Sequence, residues 1–366
     1  MARKLKSDGV LFMATLLLVC TSVVMVYSAS ARVALEKNLD SQHYLIRQTL
    51  WAVMGVAALA IVMRIDYRVY RNELLLYSVL GAIAVLMLVA LSRPAGNSAN
   101  RWLNIGGLGI QPAEFAKLAC VLFTAMILER RMHRINDVRY SIPPIAIVIG
   151  TLSALLLLQP DFGTPVMLVL VAGLMVFAAG LNYRYLLPAV AVAIPAAILL
   201  ALTRGYRVDR LVAYFNPELD PLGIGYQVRQ SLIAVGTGGV FGRGLTKGVQ
   251  KLAYLPEPQN DFIYAVIAEE LGLIGATGVL ICFAVIAWRG LRITLRAEEP
   301  FGAFVALGIT AMICAQAMIN IGVVLSLLPN KGFTLPLVSA GGSSMLVCLV
   351  GLGILLNVSQ HATSDS

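Results

Sequence analysis

Long apolar stretches recur along almost the whole chain, and the short segments between them carry most of the charge. A helix of about 20 apolar residues spans the hydrocarbon core of a bilayer. Ten stretches approach that length, over residues 9–29, 45–63, 74–92, 112–128, 142–158, 165–181, 185–203, 262–287, 302–327 and 336–357. With 59% apolar and 13% charged residues, a water-soluble fold would lack polar surface. The sequence therefore predicts an all-α polytopic membrane protein of about ten transmembrane helices, in one domain over 1–366.

The distribution of basic residues predicts the orientation of these spans. Lys and Arg concentrate in the cytoplasmic loops of membrane proteins. With both termini cytoplasmic, the inside segments hold 14 Lys and Arg, and the short outside segments hold 7. The other 7 lie in one long segment, about 204–260, which is rich in Pro and Gly. We therefore expect cytoplasmic termini and a large functional extracytoplasmic loop between helices 7 and 8.

Several classes of function are excluded by composition and spacing. The five cysteines lie in apolar runs without a CxxC motif, and the three histidines are scattered, so neither a zinc site nor a disulfide framework is expected. The net charge of +9 fits membrane topology and anionic lipid better than nucleic acid. The glycine-rich segments match neither nucleotide-binding fingerprint, so no organic cofactor is expected.

Asp261 is the strongest candidate for chemistry. It opens an apolar helix at the predicted outer surface, directly after Asn260. Because Asn260 alone can cap the helix, the Asp261 carboxylate is available for another use, although a plain N-cap is the alternative. An ionised carboxylate here can accept a proton or hold a divalent cation such as Mg²⁺ or Mn²⁺. Glu269, eight residues later, partly shares its helix face.

Basic residues accumulate on the same predicted side of the membrane. Clustered cations suit a diphosphate or another anionic headgroup, and simple anchoring to lipid headgroups is the alternative. The candidates are Arg210, Arg243, Lys251 and Lys331.

Three further positions carry charge close to the ends of predicted spans. Arg101 lies beside Trp102 and could hold a phosphate or a lipid headgroup. Glu114 and Lys117, three residues apart on one helix face, can form an ion pair. The alternative is a helix-start carboxylate and a lysine that snorkels to the surface. Asp161 is expected to cap the helix that follows it.

Several longer motifs occur in a defined order. They are Arg101-Trp102, Gln111-Pro112-Ala113-Glu114, Tyr226-Gln227, Gln230 to Gly236, Tyr254-Leu255-Pro256-Glu257, Asp261 to Ala265, Glu269-Glu270-Leu271-Gly272 and Gly341-Gly342-Ser343-Ser344. Together they resemble the SEDS family (shape, elongation, division and sporulation) over nearly the whole chain. The stretches Gln250-Lys251-Leu252 and Leu328 to Leu337 resemble its division branch, FtsW, more than its elongation branch, RodA.

The resemblance implies a peptidoglycan glycosyltransferase. It would polymerise lipid II, a disaccharide-pentapeptide on undecaprenyl diphosphate, at the outer face of the bacterial cytoplasmic (inner) membrane. It implies that Asp261 is the catalytic carboxylate and that Arg101, Glu114, Lys117 and Lys331 are functionally important. Supporting roles are expected for Glu257, Glu269 and Ser343. The implied partners are a class B penicillin-binding protein, other divisome or elongasome membrane proteins, and membrane lipid.

Two other functions are compatible with the same pattern. A lipid II flippase would also have about ten spans, proline-interrupted helices and buried charge. A non-catalytic scaffold of the division machinery would not need the Asp261 carboxylate. A transporter of small solutes is disfavoured, because the motifs cluster in the outer loop and not at the bilayer midplane.

Overall fold

The computed structural model describes residues 7–36, 38, 40, 42–92, 101–106, 108–202, 208, 210, 212, 214–215, 223–252, 255, 258–329 and 332–362. Long helices dominate these residues, and one small antiparallel hairpin joins them. The helices are α1 (Gly9–Glu36), α2 (His43–Val62), α3 (Glu73–Ser92), α4 (Pro112–Arg131), α5 (Pro143–Leu158), α6 (Gly163–Ala178), α7 (Tyr183–Leu202), α8 (Ile224–Gly238), α9 (Ile263–Arg296), α10 (Pro300–Val324) and α11 (Gly342–Gln360). The strands are β1 (Leu103–Ile105) and β2 (Leu108–Ile110). Single helical turns occur at Tyr67–Arg71, Met132–Arg134, Val138–Ser141 and Gln250–Leu252.

The helices follow the predicted apolar stretches. Each of the ten stretches corresponds to a helix, although the helix ends differ from the predicted ends by up to about nine residues. Among the described residues, six helices are long and apolar enough to cross a membrane, namely α1, α2, α3, α9, α10 and α11. The apolar helices α5 and α6 have 16 residues each. The all-α polytopic membrane fold is confirmed, and the count of ten spans stays a prediction.

The long segment predicted as a loop contains a helix of its own. Helix α8 buries Val228, Ser231 and Ala234, which are spaced by three residues and lie on one face. This face packs against α9, and the Ser231 hydroxyl donates a hydrogen bond to the Val324 carbonyl of α10 (2.8 Å). A short glycine-rich helix depends on such packing, since its intrinsic propensity is low. That is why composition alone does not indicate it.

Helices α4, α10 and α11 form the centre of the bundle. In α11, 78% of the span is buried inside the protein, whereas the corresponding share is 28% in α2, α3 and α9. Those peripheral helices expose large apolar side chains such as Leu74 and Leu295. Exposed leucines along a helix long enough to cross a bilayer face lipid, because the hydrocarbon region solvates them. The charged residues Glu114 and Lys117 of α4, both buried, are therefore surrounded by protein and not by lipid.

Helix α9 breaks at Gly272, where φ is +67° and ψ is −163°. The break leaves backbone groups on both sides without helical partners, and the segment 239–244 supplies them. The hydrogen bonds run from Arg243 N to Glu269 O (3.0 Å), from Gly244 N to Glu270 O (3.0 Å), from Leu273 N to Gly239 O (2.9 Å) and from Ile274 N to Val240 O (3.3 Å). Main-chain hydrogen bonds on both sides of Gly272 thus join α9 to the segment after α8.

Candidate active site

Asp261 lies in the turn 258–262 directly before α9, and its side chain is half-buried. Its carboxylate stands against the backbone of Gly332, at the start of the extended segment 332–335. A Cβ atom at position 332 would lie only 2.7 Å from Asp261 Oδ2. A residue without a side chain is therefore required for the carboxylate to occupy this position.

The backbone of this turn is held in place at three consecutive carbonyl groups. Each accepts a hydrogen bond from the 339–340 segment or from α10. The donors are Ala340 N to Gln259 O (2.9 Å), Ser339 Oγ to Asn260 O (2.6 Å) and Asn320 Nδ2 to Asp261 O (2.8 Å). Such complete pairing restricts the turn, so the position of the Asp261 side chain is set by residues far away in the sequence.

Glu114 and Lys117 form the predicted ion pair, with 2.9 Å between Oε2 and Nζ. Lys117 Nζ also donates a hydrogen bond to Gln316 Oε1 of α10 (2.6 Å). Only 4% of Lys117 and 7% of Glu114 are exposed, so the lysine does not snorkel to the surface. Burial of both charges is tolerated because each has a partner.

Arg101 lies before the β1–β2 hairpin and binds main-chain oxygens at the end of α5. Its guanidinium donates hydrogen bonds to the carbonyls of Gln159 (2.9 Å, from Nε) and Pro160. The neighbouring Asp161 accepts hydrogen bonds from Gly163 N (2.9 Å) and Thr164 Oγ1 (2.7 Å) at the start of α6. The predicted cap at Asp161 is confirmed, and the phosphate-binding role of Arg101 stays a prediction.

Lys251, predicted as a diphosphate ligand, lies in a buried polar cluster. Its ammonium contacts Glu270 Oε1 and donates a hydrogen bond to Ser28 Oγ of α1 (2.7 Å). The Ser28 hydroxyl lies 2.7 Å from Glu270 Oε2, and Glu270 is completely buried. The Lys251 ammonium is thus paired inside the protein, and its predicted role as a diphosphate ligand stays a prediction. Sequence reasoning assigned Glu270 and Ser28 no function, although Glu270 belongs to the motif Glu269-Glu270-Leu271-Gly272.

The Glu269 side chain also contacts the segment after α8. Its carboxylate accepts hydrogen bonds from Val249 N (2.7 Å) and Gln250 N (3.2 Å). Arg243 Nη1 lies 3.7 Å from Glu269 Oε1, and the guanidinium is partly exposed. Glu269 therefore anchors this loop, and its supporting role in function stays a prediction. Arg243 keeps an exposed cationic edge.

The other predicted positions are less defined. Arg210 is half-buried. Ser343 is buried at the start of α11, where its Oγ accepts a hydrogen bond from Gln111 N (3.4 Å). Glu257 and Lys331 lie outside the described residues, although Lys331 directly precedes the Gly332 that contacts Asp261. The functional roles of these residues stay predictions.

Comparison with known proteins identifies the family. The model of the FtsW, RodA and SpoVE family, described as cell cycle proteins, matches residues 9–364. The chain belongs to this family.

Similar proteins of the family include both division and sporulation members. The chain is 42% identical to the probable peptidoglycan glycosyltransferase FtsW of Geobacter metallireducens, over 97% of this chain and 95% of that protein. It is also 42% identical to the stage V sporulation protein E of Bacillus subtilis, over 98% of this chain and 99% of that protein. Because the two identities are equal, assignment to the division branch stays a prediction.

A solved structure shares the fold. A peptidoglycan synthase complex that coordinates polymerization and crosslinking contains a chain 28% identical to this one. The two superpose with a TM-score of 0.78, over 99% of this chain and 100% of the other. The resemblance to the SEDS family, and the multi-pass membrane fold that it implies, are therefore confirmed.

Proposed function

We propose that this protein polymerises lipid II into glycan strands at the outer face of the bacterial cytoplasmic membrane. Its FtsW relatives are named peptidoglycan glycosyltransferases, and the chain is an enzyme of that class. The observation that supports the proposal best is the half-buried Asp261 carboxylate, held on a fixed turn beside Gly332. A non-catalytic scaffold would not need this carboxylate.

The reaction requires a base for the acceptor and stabilisation of the leaving group. The acceptor hydroxyl attacks the anomeric carbon of the donor sugar, a glycosidic C–O bond forms, and the bond to the diphosphate oxygen breaks. Asp261 accepts the hydroxyl proton, and undecaprenyl diphosphate leaves. Carboxylates are weak bases, so positioning must supply much of the rate. The hydrogen bonds to the backbone of the 259–261 turn provide this positioning.

Cations are needed where negative charge develops on the leaving diphosphate. Arg243 is partly exposed, and Lys331 is next to the glycine that contacts Asp261. We propose that these two residues, together with Arg210 and Arg101, bind the diphosphate. Lys251 is better described as part of the framework, because its ammonium is buried against Glu270.

As the alternative to its role as general base, the Asp261 carboxylate would hold a divalent cation. Proteins usually hold Mg²⁺ through one or two carboxylates together with oxygens of the substrate phosphates. Among the described residues, no three His, Cys, Asp or Glu side chains lie close enough together to hold a metal ion. The substrate would therefore complete the coordination. Asp261 would hold Mg²⁺ or Mn²⁺, which when bound would neutralise diphosphate charge.

The proposed partner is a class B penicillin-binding protein, a transpeptidase with one membrane helix. The structural neighbour comes from a complex that couples polymerization with crosslinking, which supports such a pairing. Other divisome or elongasome membrane proteins and anionic membrane lipid are further proposed partners. Residence in the inner membrane, with both termini cytoplasmic, belongs to the same proposal.

The central test is glycan-strand formation from purified lipid II, with and without a class B partner. Replacement of Asp261 with Ala should lower the polymerisation rate by roughly 10²–10⁴-fold, the range expected for loss of a general base. Asp137→Ala is the matched control, since Asp137 is exposed between α4 and α5, and it should retain the wild-type rate.

Two results would contradict the proposal. A fully active Asp261→Ala variant would show that the carboxylate is not catalytic. If wild type with its partner moves lipid II across vesicles without forming polymer, the flippase is the better description.

A further inference from the structure

Two amide side chains lie on one face of α10, in an otherwise apolar helix. Gln316 and Asn320 are four residues apart and almost completely buried. A buried amide in a membrane helix is costly unless it is hydrogen-bonded, so its partners indicate why it is present.

Asn320 joins two segments that meet beside Asp261. Its Nδ2 donates hydrogen bonds to the main-chain oxygens of Asp261 (2.8 Å) and Phe333 (2.5 Å). Both partners are carbonyl oxygens, so only the NH₂ end of the side chain fits between them. One amide therefore sets the separation between the turn of Asp261 and the segment that begins at Gly332.

Gln316 extends the connection to the buried ion pair. Its Oε1 accepts a hydrogen bond from Lys117 Nζ (2.6 Å), and its Nε2 donates to the Thr334 carbonyl (2.9 Å). The carbonyls of Phe333 and Thr334 are consecutive, so the two amides of α10 hold adjacent residues of one segment. A continuous polar path thus leads from Glu114 and Lys117 to the backbone of Asp261.

We propose that Asn320 is a positioning residue for the Asp261 carboxylate, an inference that rests on the proposed polymerase function. A general base acts only within about 2.6–3.2 Å of the proton that it accepts. A displacement of about 1 Å can lower the rate roughly 10²-fold. The Asn320 amide prevents such a displacement by tying the Asp261 main chain to the segment against which the carboxylate rests.

The first arm of the test is kinetic. Asn320→Leu keeps the approximate side-chain volume and removes the NH₂ donor. We expect the kcat for glycan polymerisation to fall about 10²-fold, with the KM for lipid II changed by less than about threefold. A loss of substrate binding would instead raise KM.

Asn357→Leu is the matched control. Asn357 is also fully buried, and it also bridges main-chain groups, from Nδ2 to Met63 O (2.9 Å) and from Tyr67 N to Oδ1 (2.9 Å). It lies near the other end of the bundle, at the end of α11. Its replacement should lower the thermal unfolding temperature by a similar amount and leave kcat unchanged.

The second arm measures hydrogen–deuterium exchange without substrate. Asn320→Leu should accelerate exchange within 259–262 and 332–340, which include the hydrogen-bonded amides of Leu335 and Ala340. Asn357→Leu should accelerate exchange around 63–71 only. Unchanged exchange beside Asp261, or an equal loss of kcat in both variants, would overturn the inference. Absence of polymer from wild type would overturn the proposed function alone, because the exchange arm needs no activity.

Discussion

Lys117 is a buried charge that requires partners inside the protein. Its ammonium lies between the Glu114 carboxylate and the Gln316 amide oxygen in the centre of the bundle. The pairing itself follows from the spacing of three residues in one helix. The contact with Gln316 does not, since 199 residues separate the two in sequence.

Removal of the Lys117 charge alone should destabilise the protein strongly. Lys117→Met leaves the Glu114 carboxylate buried without its cation, and breaking a buried pair in this way costs about 3–5 kcal/mol. The double variant Lys117→Met/Glu114→Gln removes both charges and should recover most of that loss. Unfolding of the detergent-purified protein measures both effects.

Polymerisation by the same double variant separates function from stability. If Lys117 is functionally important, as the family resemblance implies, the double variant is stable and remains inactive. Recovery of the wild-type rate would show that the pair serves folding only.

The break in α9 at Gly272 determines how the segment after α8 is held. Without it, the helix would continue straight from Ile263, and the segment 239–244 would lose its main-chain partners. The side chains of the adjacent Glu269 and Glu270 accept further hydrogen bonds just beyond that segment, from Val249 N (2.7 Å) and Thr246 N (3.1 Å). The part of α9 before Gly272, which begins two residues after Asp261, is therefore anchored to the segment that carries Arg243.

Substitution of Gly272 should disturb this arrangement. A Cβ atom there would lie 2.3 Å from Gly242 N and 2.5 Å from Val240 O, and the positive φ is strained for any other residue. We expect Gly272→Ala to reduce the free energy of unfolding by about 2–4 kcal/mol. Denaturation in detergent micelles measures this change.

Gly278→Ala provides the comparison within the same helix. A Cβ atom at Gly278 meets open space, so alanine should be neutral or stabilise by up to about 1 kcal/mol. If the Gly272 and Gly278 variants unfold alike, the backbone of α9 does not require glycine at the break.

At the scale of the whole molecule, orientation in the membrane determines which surface can meet lipid II. The excess of basic residues in the segments assigned to the inner side predicts that α8 and the turn of Asp261 lie outside the cell. The short connection between α6 and α7 would then be cytoplasmic.

Cysteine labelling tests this orientation directly. In a background without the five native cysteines, Phe241→Cys should react with a membrane-impermeant maleimide in intact cells, since Phe241 is 83% exposed. Arg184→Cys, exposed in the first turn of α7, should react only after the membrane is permeabilised. The reverse pattern would show that the protein has the opposite orientation in the membrane. Asp261 would then lie on the cytoplasmic side, where we do not propose that polymerisation occurs.

The membrane class, the helical content and several local contacts follow from the sequence alone. An apolar stretch in a bilayer must satisfy its own backbone hydrogen bonds, so each of the ten stretches forms a helix whatever its neighbours are. The cap at Asp161 and the ion pair of Glu114 with Lys117 depend on residues two or three apart. The family motifs likewise predict, from the sequence alone, that Asp261 is the catalytic carboxylate.

The tertiary structure decided which distant groups meet. Lys251 contacts Glu270 and Ser28, which are 19 and 223 residues away in the sequence. Its ammonium is therefore buried and does not lie exposed on the protein surface. Asn320 reaches Asp261 across 59 residues. Helix α8 exists because α9 covers its small-residue face. Such contacts depend on how helices pack side by side, and helix periodicity specifies only which face is buried, not which helix will cover it.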